Sequence, residues 1–288
     1  MRLSVIMPVY QAADTIAIQL EALARQTCTD PWELIVVDNG CTDDSMAIVE
    51  RYRDRVPHLR TGRATQAKGP AHPRNVGARL ARATSLAFCD ADDEVATDWV
   101  AAVADAIEAH GFVASRMDAA RLSDPRSLAA KGNKRQQSGL IQYTYVPYLP
   151  FAGACGLGVR RELHEAVGGF DESMRYLEDC DYCWRVQLAG TPLVFAPDAL
   201  VHIRHRDDPR GLYRQARNWG EYNVLLLKRY QDHGMPAPHW STGLTLWWKL
   251  LTRVPGLLRR ANRDRWTWAL GYRVGQVRGS VRYRFFAP

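Results

Sequence analysis

The sequence lacks a long uninterrupted apolar run. Its longest uncharged stretch, residues 136–159, contains two prolines and four glycines, whereas a membrane-spanning helix needs about 20 mostly apolar residues without such breaks. The N-terminal apolar run, Leu3 to Met7, meets Pro8 at once and is too short for the core of a signal peptide. We therefore expect neither a transmembrane span nor a signal peptide, and a cytoplasmic location.

Cysteine is scarce and scattered. The six cysteines of the 288-residue chain do not form the spacing of a disulfide framework. Cys180 and Cys183 form a C-x-x-C pair, but the sequence has no second such pair to complete a structural zinc site. Two interpretations remain, a redox pair or two small residues packed on a helix.

Acidic residues are almost absent from the last fifty residues. Residues 239–288 contain ten Lys or Arg and one acid, a net charge of +9. Because the whole chain has a net charge of +7, residues 1–238 carry −2. It also contains five of the nine tryptophans. Basic residues interleaved with tryptophan suit an anionic membrane surface; a helical cap with its arginines in water is the alternative. No nucleic-acid-binding motif accompanies the charge, so we expect no nucleic acid partner.

The first 117 residues alternate between β-prone runs and helical patterns. Strands are predicted at residues 3–7, 33–37, 58–61, 85–89 and 112–115, and helices at 14–26, 43–53, 74–83 and 99–110. This alternation predicts an α/β fold with a mostly parallel sheet flanked by helices. Further on, the sequence predicts a polar loop at 118–139 with basic residues Lys131, Lys134 and Arg135, helices at 178–188 and 212–230, and short strands at 193–196 and 200–203.

Four acids directly follow one apolar run. Residues 86–89 lead into Asp90, Asp92, Asp93 and Glu94. Because side chains alternate along an extended segment, Asp90 and Asp92 are expected to point the same way. A hard divalent cation would offset the repulsion between such carboxylates. An acidic turn that caps the next helix is the alternative interpretation.

Two more strand ends should lie beside these acids, because the carboxyl ends of parallel strands meet at one edge of the sheet. Ligands of open parallel sheets bind at that edge. The first strand ends at Pro8, Val9 and Tyr10, and the second ends at Asp38. An acid there can accept hydrogen bonds from a ribose hydroxyl or a base N–H. A turn-forming Asp before Gly40 is the alternative.

A third group of acids begins a predicted helix. Asp181 can pair with Arg185, four residues later, whereas Asp179 has no such local cation. Acids at a helix start are stabilised by the helix dipole, and an acid that faces a cleft could also take a proton from a hydroxyl. His202, at a strand end, is a possible metal ligand.

Taken in order, these segments resemble the family 2 glycosyltransferases of the GT-A fold over about residues 1–205. The resemblance is carried by the segments Ser4-Val5-Ile6-Met7-Pro8-Val9-Tyr10, Val36-Val37-Asp38-Asn39-Gly40-Cys41-Thr42-Asp43, Arg74-Asn75, Asp90-Ala91-Asp92-Asp93, Gly168-Gly169-Phe170-Asp171-Glu172 and Glu178-Asp179. Asn39 and Cys41 depart from the family's usual Asp-Gly-Ser, and Pro73 replaces a small residue. These departures leave the donor preference open.

The resemblance implies a site assembled from three groups of residues. The donor-binding positions are Pro8, Val9, Tyr10, Asp38, Arg74, Asp90, Ala91 and Gly153. The metal positions, for Mg²⁺ or Mn²⁺, are Asp92, Asp90 and His202, and the catalytic base is Asp179. Residues expected to contact the acceptor or support the base are Glu178, Asp181 and Arg185.

The resemblance also implies an activity and a division of the chain. The activity is inverting transfer from a UDP-, dTDP- or GDP-sugar to an acceptor hydroxyl. Residues 1–117 would bind the donor, 118–208 would bind the acceptor, and 209–288 would form a helical extension. The basic, Trp-rich residues 239–288 lie outside the resemblance; if they face the inner side of the plasma membrane, they fit a lipid-linked glycan acceptor, as in cell-envelope or exopolysaccharide assembly. A non-catalytic protein that binds nucleotide-sugar or glycan is the alternative.

Overall fold

The apolar runs near the start of the chain form the centre of one mixed sheet. In this computed structural model, which describes residues 1–125, 127–128, 136–143, 146–205, 208–258 and 260–287, eight strands pair in the order β3-β2-β1-β4-β7-β6-β8-β5. The strands are β1 (Leu3–Val9), β2 (Trp32–Asp38), β3 (Arg60–Arg63), β4 (Ser85–Phe88), β5 (Glu94–Val95), β6 (Phe112–Asp118), β7 (Leu157–Arg160) and β8 (Val194–His202). The basic residues Lys131, Lys134 and Arg135 lie outside the described residues.

Parallel pairing dominates the first half of the sheet. β3, β2, β1 and β4 are parallel neighbours, as are β6 and β8, whereas β7 runs antiparallel to β4 and β6, and β5 runs antiparallel to β8. Consecutive residues of β1, such as Val5, Ile6 and Met7, are all fully buried, as expected for a strand covered on both faces. The α/β prediction is confirmed.

The chain folds into two compact units. The first comprises residues 1–122, 134–141 and 150–204, and the second comprises residues 123–133, 142–149 and 205–288. The helices of the first unit are α1 (Ile16–Ala24), α2 (Ser45–Glu50), α3 (Ala71–Leu80), α4 (Trp99–His110), α5 (Arg161–Ala166) and α6 (Glu178–Leu188). Those of the second are α7 (Pro209–Tyr230), α8 (Trp240–Thr252) and α9 (Arg260–Tyr283). The assignment of donor and acceptor halves stays a prediction.

One prediction about the strands is wrong. The two short strands expected at 193–196 and 200–203 are one strand, β8, whose pairing with β6 jumps from Ser115–Ala196 to Arg116–Leu200. Residues 197–199 bulge out of the ladder, and Pro197 has no N–H to donate to it. The apparent gap in the sequence is therefore an irregularity within a single strand.

Close backbone contact holds the second unit together. A Cβ atom at Gly220 of α7 would overlap the carbonyl oxygen of Tyr272 on α9, and one at Gly275 would overlap the carbonyl oxygen of Arg217. Beside this contact, Glu221 accepts a hydrogen bond from Arg282 at 2.6 Å. Glycine thus allows two long helices to pack with their backbones in contact.

The first helix of residues 239–288, α8, is short. It begins at Trp240 and ends at Thr252, before Pro255. Proline cannot continue a helix without removing a backbone hydrogen bond. Among the residues described, no helix is both long and apolar enough to cross a bilayer.

Candidate functional site

The ends of β1, β2 and β4 lie side by side. Val9, at the end of β1, pairs with Asp38, at the end of β2, and the Asn39 N–H donates to the Val9 carbonyl at 2.9 Å. Pro8 lies in the same strand, and the Tyr10 side chain beyond it is 65% exposed. The structure therefore brings together the sequence-predicted residues of the first two strand ends.

Asp38 caps the turn that follows its strand. One carboxylate oxygen accepts backbone hydrogen bonds from Gly40 at 2.9 Å and Cys41 at 2.7 Å. Burial alone would raise the pKa of this carboxyl, but the hydrogen bonds from Cys41 and Gly40 outweigh it and lower the pKa. The turn-forming interpretation thus describes this oxygen, and Asp38 is held ionised at the edge of the sheet.

Arg74 connects two parts of the site that are far apart in sequence. Its side chain is 3% exposed; one terminal nitrogen donates to Asp90 at 2.7 Å and the other donates to Glu178 at 2.8 Å. The buried Nε has no hydrogen-bond partner among the described residues. The arginine predicted to contact a nucleotide therefore already bridges the end of β4 and the start of α6.

The packing of α3 explains how Arg74 reaches this position. α3 lies against β1 at Gly77, where a Cβ would overlap the Ile6 side chain. Next to Arg74, the Asn75 amide donates to the Phe170 carbonyl at 2.8 Å and accepts from the Phe170 N–H at 2.8 Å. The Arg-Asn pair and the glycine-rich 168–172 segment thus form one connected structure.

α6 begins with a strained residue and two acids. Leu177 has a φ of 58°, a left-handed conformation that is unfavourable for a bulky residue. Glu178 is buried. Its pKa is raised to about 7, chiefly by burial and secondly by the charge of Asp179, although Arg74 opposes the shift. Asp179 is partly buried and accepts from the Cys180 N–H at 2.8 Å. The predicted base therefore lies beside the acid that Arg74 holds.

Asp181 and Arg185 anchor the same helix. Asp181 is fully buried and pairs with Arg185 Nε at 2.7 Å, as their spacing predicts, and Arg185 also donates to the Val167 carbonyl at 2.7 Å. Cys180 and Cys183 are buried and not disulfide-bonded, which agrees with packed residues on a helix. These contacts fix the direction of α6.

The acids after β4 are arranged differently from the prediction. The expected extended segment is not present, because residues 91 and 92 form a turn. Ligand atoms of Asp90, Asp93 and Cys155 lie within 4.8 Å of one another, with Asp93 buried and Asp92 exposed. Burial, then the charges of Asp92 and Asp90, raise the pKa of Asp93. Ala91 is buried inside the turn.

His202 lies at the same edge of the sheet. It ends β8, where it pairs with Glu94 of β5, and its Nδ1 lies 3.2 Å from the Asp118 carboxylate. Two residues on, the Arg204 N–H donates to Asp93 at 3.2 Å. A hydrogen bond at Nδ1 orients an imidazole so that Nε2 can bind a metal. Carboxylates with an imidazole suit Mn²⁺ or Mg²⁺ by their chemistry, but among the described residues the group whose ligand atoms lie together is Asp90, Asp93 and Cys155, without Asp92 or His202.

Sequence reasoning missed several residues that shape this region. The predicted Gly153 precedes a short 3₁₀ helix, 154–156, that places Cys155 beside the acids. The Gly153 N–H donates to the Gln136 amide oxygen at 3.0 Å. At the first strand ends, Gln11 accepts from the Thr42 N–H at 2.8 Å. The sequence carried no signal for Cys155, Gln136 or Gln11; Asp93 had one, as a member of the four-acid run after β4.

Two family models match the chain. The model described as Glycosyl transferase family 2 matches residues 4–168. The model described as Glycosyl transferase family group 2 matches residues 129–280.

Known proteins agree with these matches. The pre-mycofactocin glycosyltransferase of Mycobacterium tuberculosis is 30% identical over 244 residues, which are 80% of this chain and 49% of that protein. The chain thus spans about half the length of this relative.

Solved structures show the same fold. Mannosyltransferase PcManGT from Pyrobaculum calidifontis, in complex with GDP-Man and Mn²⁺, aligns with a TM-score of 0.67 and 20% identity over 96% of this chain and 87% of that one. TarS of Staphylococcus aureus, in complex with UDP-GlcNAc, aligns with a TM-score of 0.59 and 20% identity over 100% of this chain and 93% of that one. The predicted GT-A fold with a helical C-terminal segment is confirmed. Because the first family model covers more than half of the sequence, the chain belongs to glycosyltransferase family 2.

Proposed function

We propose that the protein is an inverting glycosyltransferase that moves a hexose from a UDP-, dTDP- or GDP-sugar to an acceptor hydroxyl. The observation that carries the proposal is the Arg74 bridge, which ties Asp90 at the end of β4 to Glu178 at the start of α6. An inverting transferase needs a leaving-group site and a base on opposite sides of one sugar carbon. The bridge joins a strand end suited to the first role and a helix start suited to the second.

The donor would lie along the ends of β1, β2 and β4. The exposed Tyr10 ring offers a face for a nucleobase, and aromatic rings stack favourably on such flat groups. Pro8 and Val9 would form the floor beneath it, and Asp38 would accept from a ribose hydroxyl or a base N–H. Complexes of the similar folds with UDP-GlcNAc and GDP-Man make both nucleotides reasonable first donors to test.

A divalent ion would be held by Asp92, Asp90 and His202, whose carboxylate and imidazole ligands suit Mg²⁺ or Mn²⁺. When bound, such an ion supplies positive charge to the departing diphosphate. Asp90 is also held by Arg74 at 2.7 Å, so its second oxygen would face the ligand. Gly153 and Ala91 would border the donor without adding side-chain bulk.

Asp179 would act as the general base. It would accept the proton of the acceptor hydroxyl while that oxygen bonds to the anomeric carbon and the bond to the diphosphate oxygen breaks. One displacement inverts the configuration, and the nucleoside diphosphate leaves. Glu178, Asp181 and Arg185 would hold α6 in place through the contacts to Arg74 and Val167. The position of Asp179 would then depend on a rigid helix start.

We propose a lipid-linked glycan of envelope or exopolysaccharide assembly as the acceptor. The support comes from a relative, 33% identical over 111 residues, that is named a poly(ribitol-phosphate) β-N-acetylglucosaminyltransferase, since its acceptor is a hydroxyl-rich polymer. The basic, Trp-rich extension of residues 239–288 also suits an acceptor that is presented at a membrane.

The test measures nucleoside diphosphate release from UDP-, dTDP- and GDP-sugars with Mn²⁺, with and without acceptor, in wild type and Asp179→Asn. The variant should lose about 100-fold or more in kcat, with donor affinity by calorimetry unchanged. Asp54→Asn, at an exposed acid distant in sequence, is the matched control and should retain full activity. Donor binding without release from any donor would refute the proposal and favour a binding protein.

A further inference from the structure

α8 turns an apolar face to solvent. Trp240, Leu244, Trp248 and Leu251 are 60%, 61%, 66% and 64% exposed. Their spacing of four, four and three residues places all of them on one side of the helix. These large side chains therefore form a continuous strip, which we call the α8 face.

The α8 face is not the side by which the helix packs in its own unit. Gly243 and Leu250 are buried, and the Trp266 indole N–H donates to the Leu250 carbonyl at 3.0 Å. On a third side, Thr245 is exposed and its hydroxyl donates to the Ser241 carbonyl at 2.8 Å. α8 thus has a packed side, a polar side and an apolar side that faces solvent.

The exposed apolar residues are concentrated in the second unit. Of the thirteen large apolar side chains exposed in the described residues, eight lie between Trp240 and Phe286. Isolated exposed apolar residues are normal, but a contiguous patch rimmed by polar residues usually marks an interaction surface. The α8 face meets this description.

Charge determines which partner fits. Lys249 and Arg253, exposed near the end of α8, belong to a segment of residues 239–288 with a charge of +9. Two copies of such a segment would repel each other, whereas an anionic surface would attract it. Tryptophan is enriched where an apolar layer meets water, because its ring is apolar and its N–H is polar.

The size of α8 determines how it would meet a bilayer. Its 13 residues span about 20 Å, whereas the hydrocarbon core is about 30 Å thick. A helix of this length with one apolar side lies parallel to the surface at the boundary between headgroups and acyl chains. It cannot cross.

We infer that α8 binds an anionic lipid bilayer, lying in its plane with Trp240, Leu244, Trp248 and Leu251 inserted. This inference deepens the proposed function and rests on it for the lipid-linked acceptor, while its physical argument uses the second unit alone. The anionic lipid attracts the basic extension, and burial of the α8 face adds the apolar contribution.

The experiment measures flotation of the full chain with vesicles of phosphatidylcholine, with or without phosphatidylglycerol. The double variant Leu244→Ser/Trp248→Ser should bind the anionic vesicles about tenfold or more weakly than wild type. Ile18→Ser/Leu188→Ser, which removes two exposed apolar residues of the first unit, is the matched control and should bind like wild type. Circular dichroism should show equal helix content in all three proteins.

Two further readouts separate the outcomes. Brominated lipid should quench the fluorescence of wild type more than that of Trp240→Phe/Trp248→Phe. Asp179→Asn should float like wild type, and the α8 double variant should hydrolyse soluble donor like wild type, so failure of the catalytic proposal and failure of this one are distinguishable.

Equal flotation of the α8 double variant and the control would overturn the inference. So would a wild-type dimer in sedimentation that dissociates in the α8 double variant without any vesicle binding, because the occupant would then be a second copy. Salt-sensitive capture of an acidic protein without binding to anionic vesicles would also contradict it.

Discussion

Replacing Arg74 by Met should destabilise the protein by about 3–5 kcal/mol at pH 8, the usual effect of removing one partner from a buried ion pair. The Arg74 side chain is 3% exposed and contacts Asp90 and Glu178. Asp90 is 32% exposed, so water can replace its lost contact, but Glu178 is only 9% exposed. The main effect should therefore come from buried Glu178, which loses the cation that stabilises its ionised form.

The destabilisation should depend on pH in a definite direction. The pKa of Glu178 is raised from 4.5 to about 7, first by burial and then by Asp179, while Arg74 lowers it. Between these values the folded state binds more protons than the unfolded state, so the Glu178 contribution to stability falls as pH rises. Without Arg74 the pKa rises further. The variant should therefore lose less stability relative to wild type at pH 6, where Glu178 is protonated in both proteins, than at pH 8.

Urea unfolding at pH 6 and pH 8 tests this prediction. The double variant Arg74→Met/Glu178→Gln completes a mutant cycle, and the coupling energy at pH 8 should be about 2 kcal/mol or more. Arg79→Met, at an exposed arginine of the same helix, is the matched control and should change stability by about 0.5 kcal/mol or less. Additive effects in the cycle, or a destabilisation that does not change with pH, would refute the reasoning.

Two further predictions concern the second unit and the candidate metal site. Gly275→Ala should lower stability by about 1–3 kcal/mol, because the new Cβ overlaps the Arg217 carbonyl oxygen; in an open helix the same change stabilises by about 1 kcal/mol. Thermal unfolding measures this, with Gly139→Ala as the control, since a Cβ there meets nothing within 4 Å. Equal melting temperatures for the two variants would contradict the prediction. His202→Ala should weaken Mn²⁺ binding about tenfold or more, measured by titration calorimetry of the metal alone, and unchanged affinity would remove His202 from the ligand set.

The local sequence pattern was sufficient to predict an element and its bounds where the segment has its own apolar periodicity. The helices predicted at 99–110 and 178–188 match α4 and α6 in both bounds, because their apolar spacing and polar ends are visible in the sequence. β5 was missed because it has two residues and exists through pairing with β8, where Glu94 meets His202. A strand stabilised by a partner about a hundred residues away has no local signal.

The site was predictable as a set of residues more than as an arrangement. Asp90, Arg74 and Glu178 were each named from the sequence, but the bridge between them depends on how α3 and α6 pack, which sequence spacing does not encode. The alternation argument for Asp90 and Asp92 failed because a turn at 91–92 ends the extended segment. That turn gives Asp93 the buried position beside Cys155.

The strained start of α6 is consistent with a role in directing its acids. A left-handed conformation at Leu177 is unfavourable by about 1–2 kcal/mol, and such strain persists only where surrounding contacts enforce it. The contacts are present here, since Leu177 is 5% exposed, Glu178 is held by Arg74, and Asp181 is fixed by Arg185. Relaxing Leu177 would turn the first residues of α6 away from Arg74 and remove the bridge to Asp90. The local strain and the long-range ion pair therefore depend on each other, and together they determine where the Asp179 carboxylate lies relative to the ends of β1, β2 and β4.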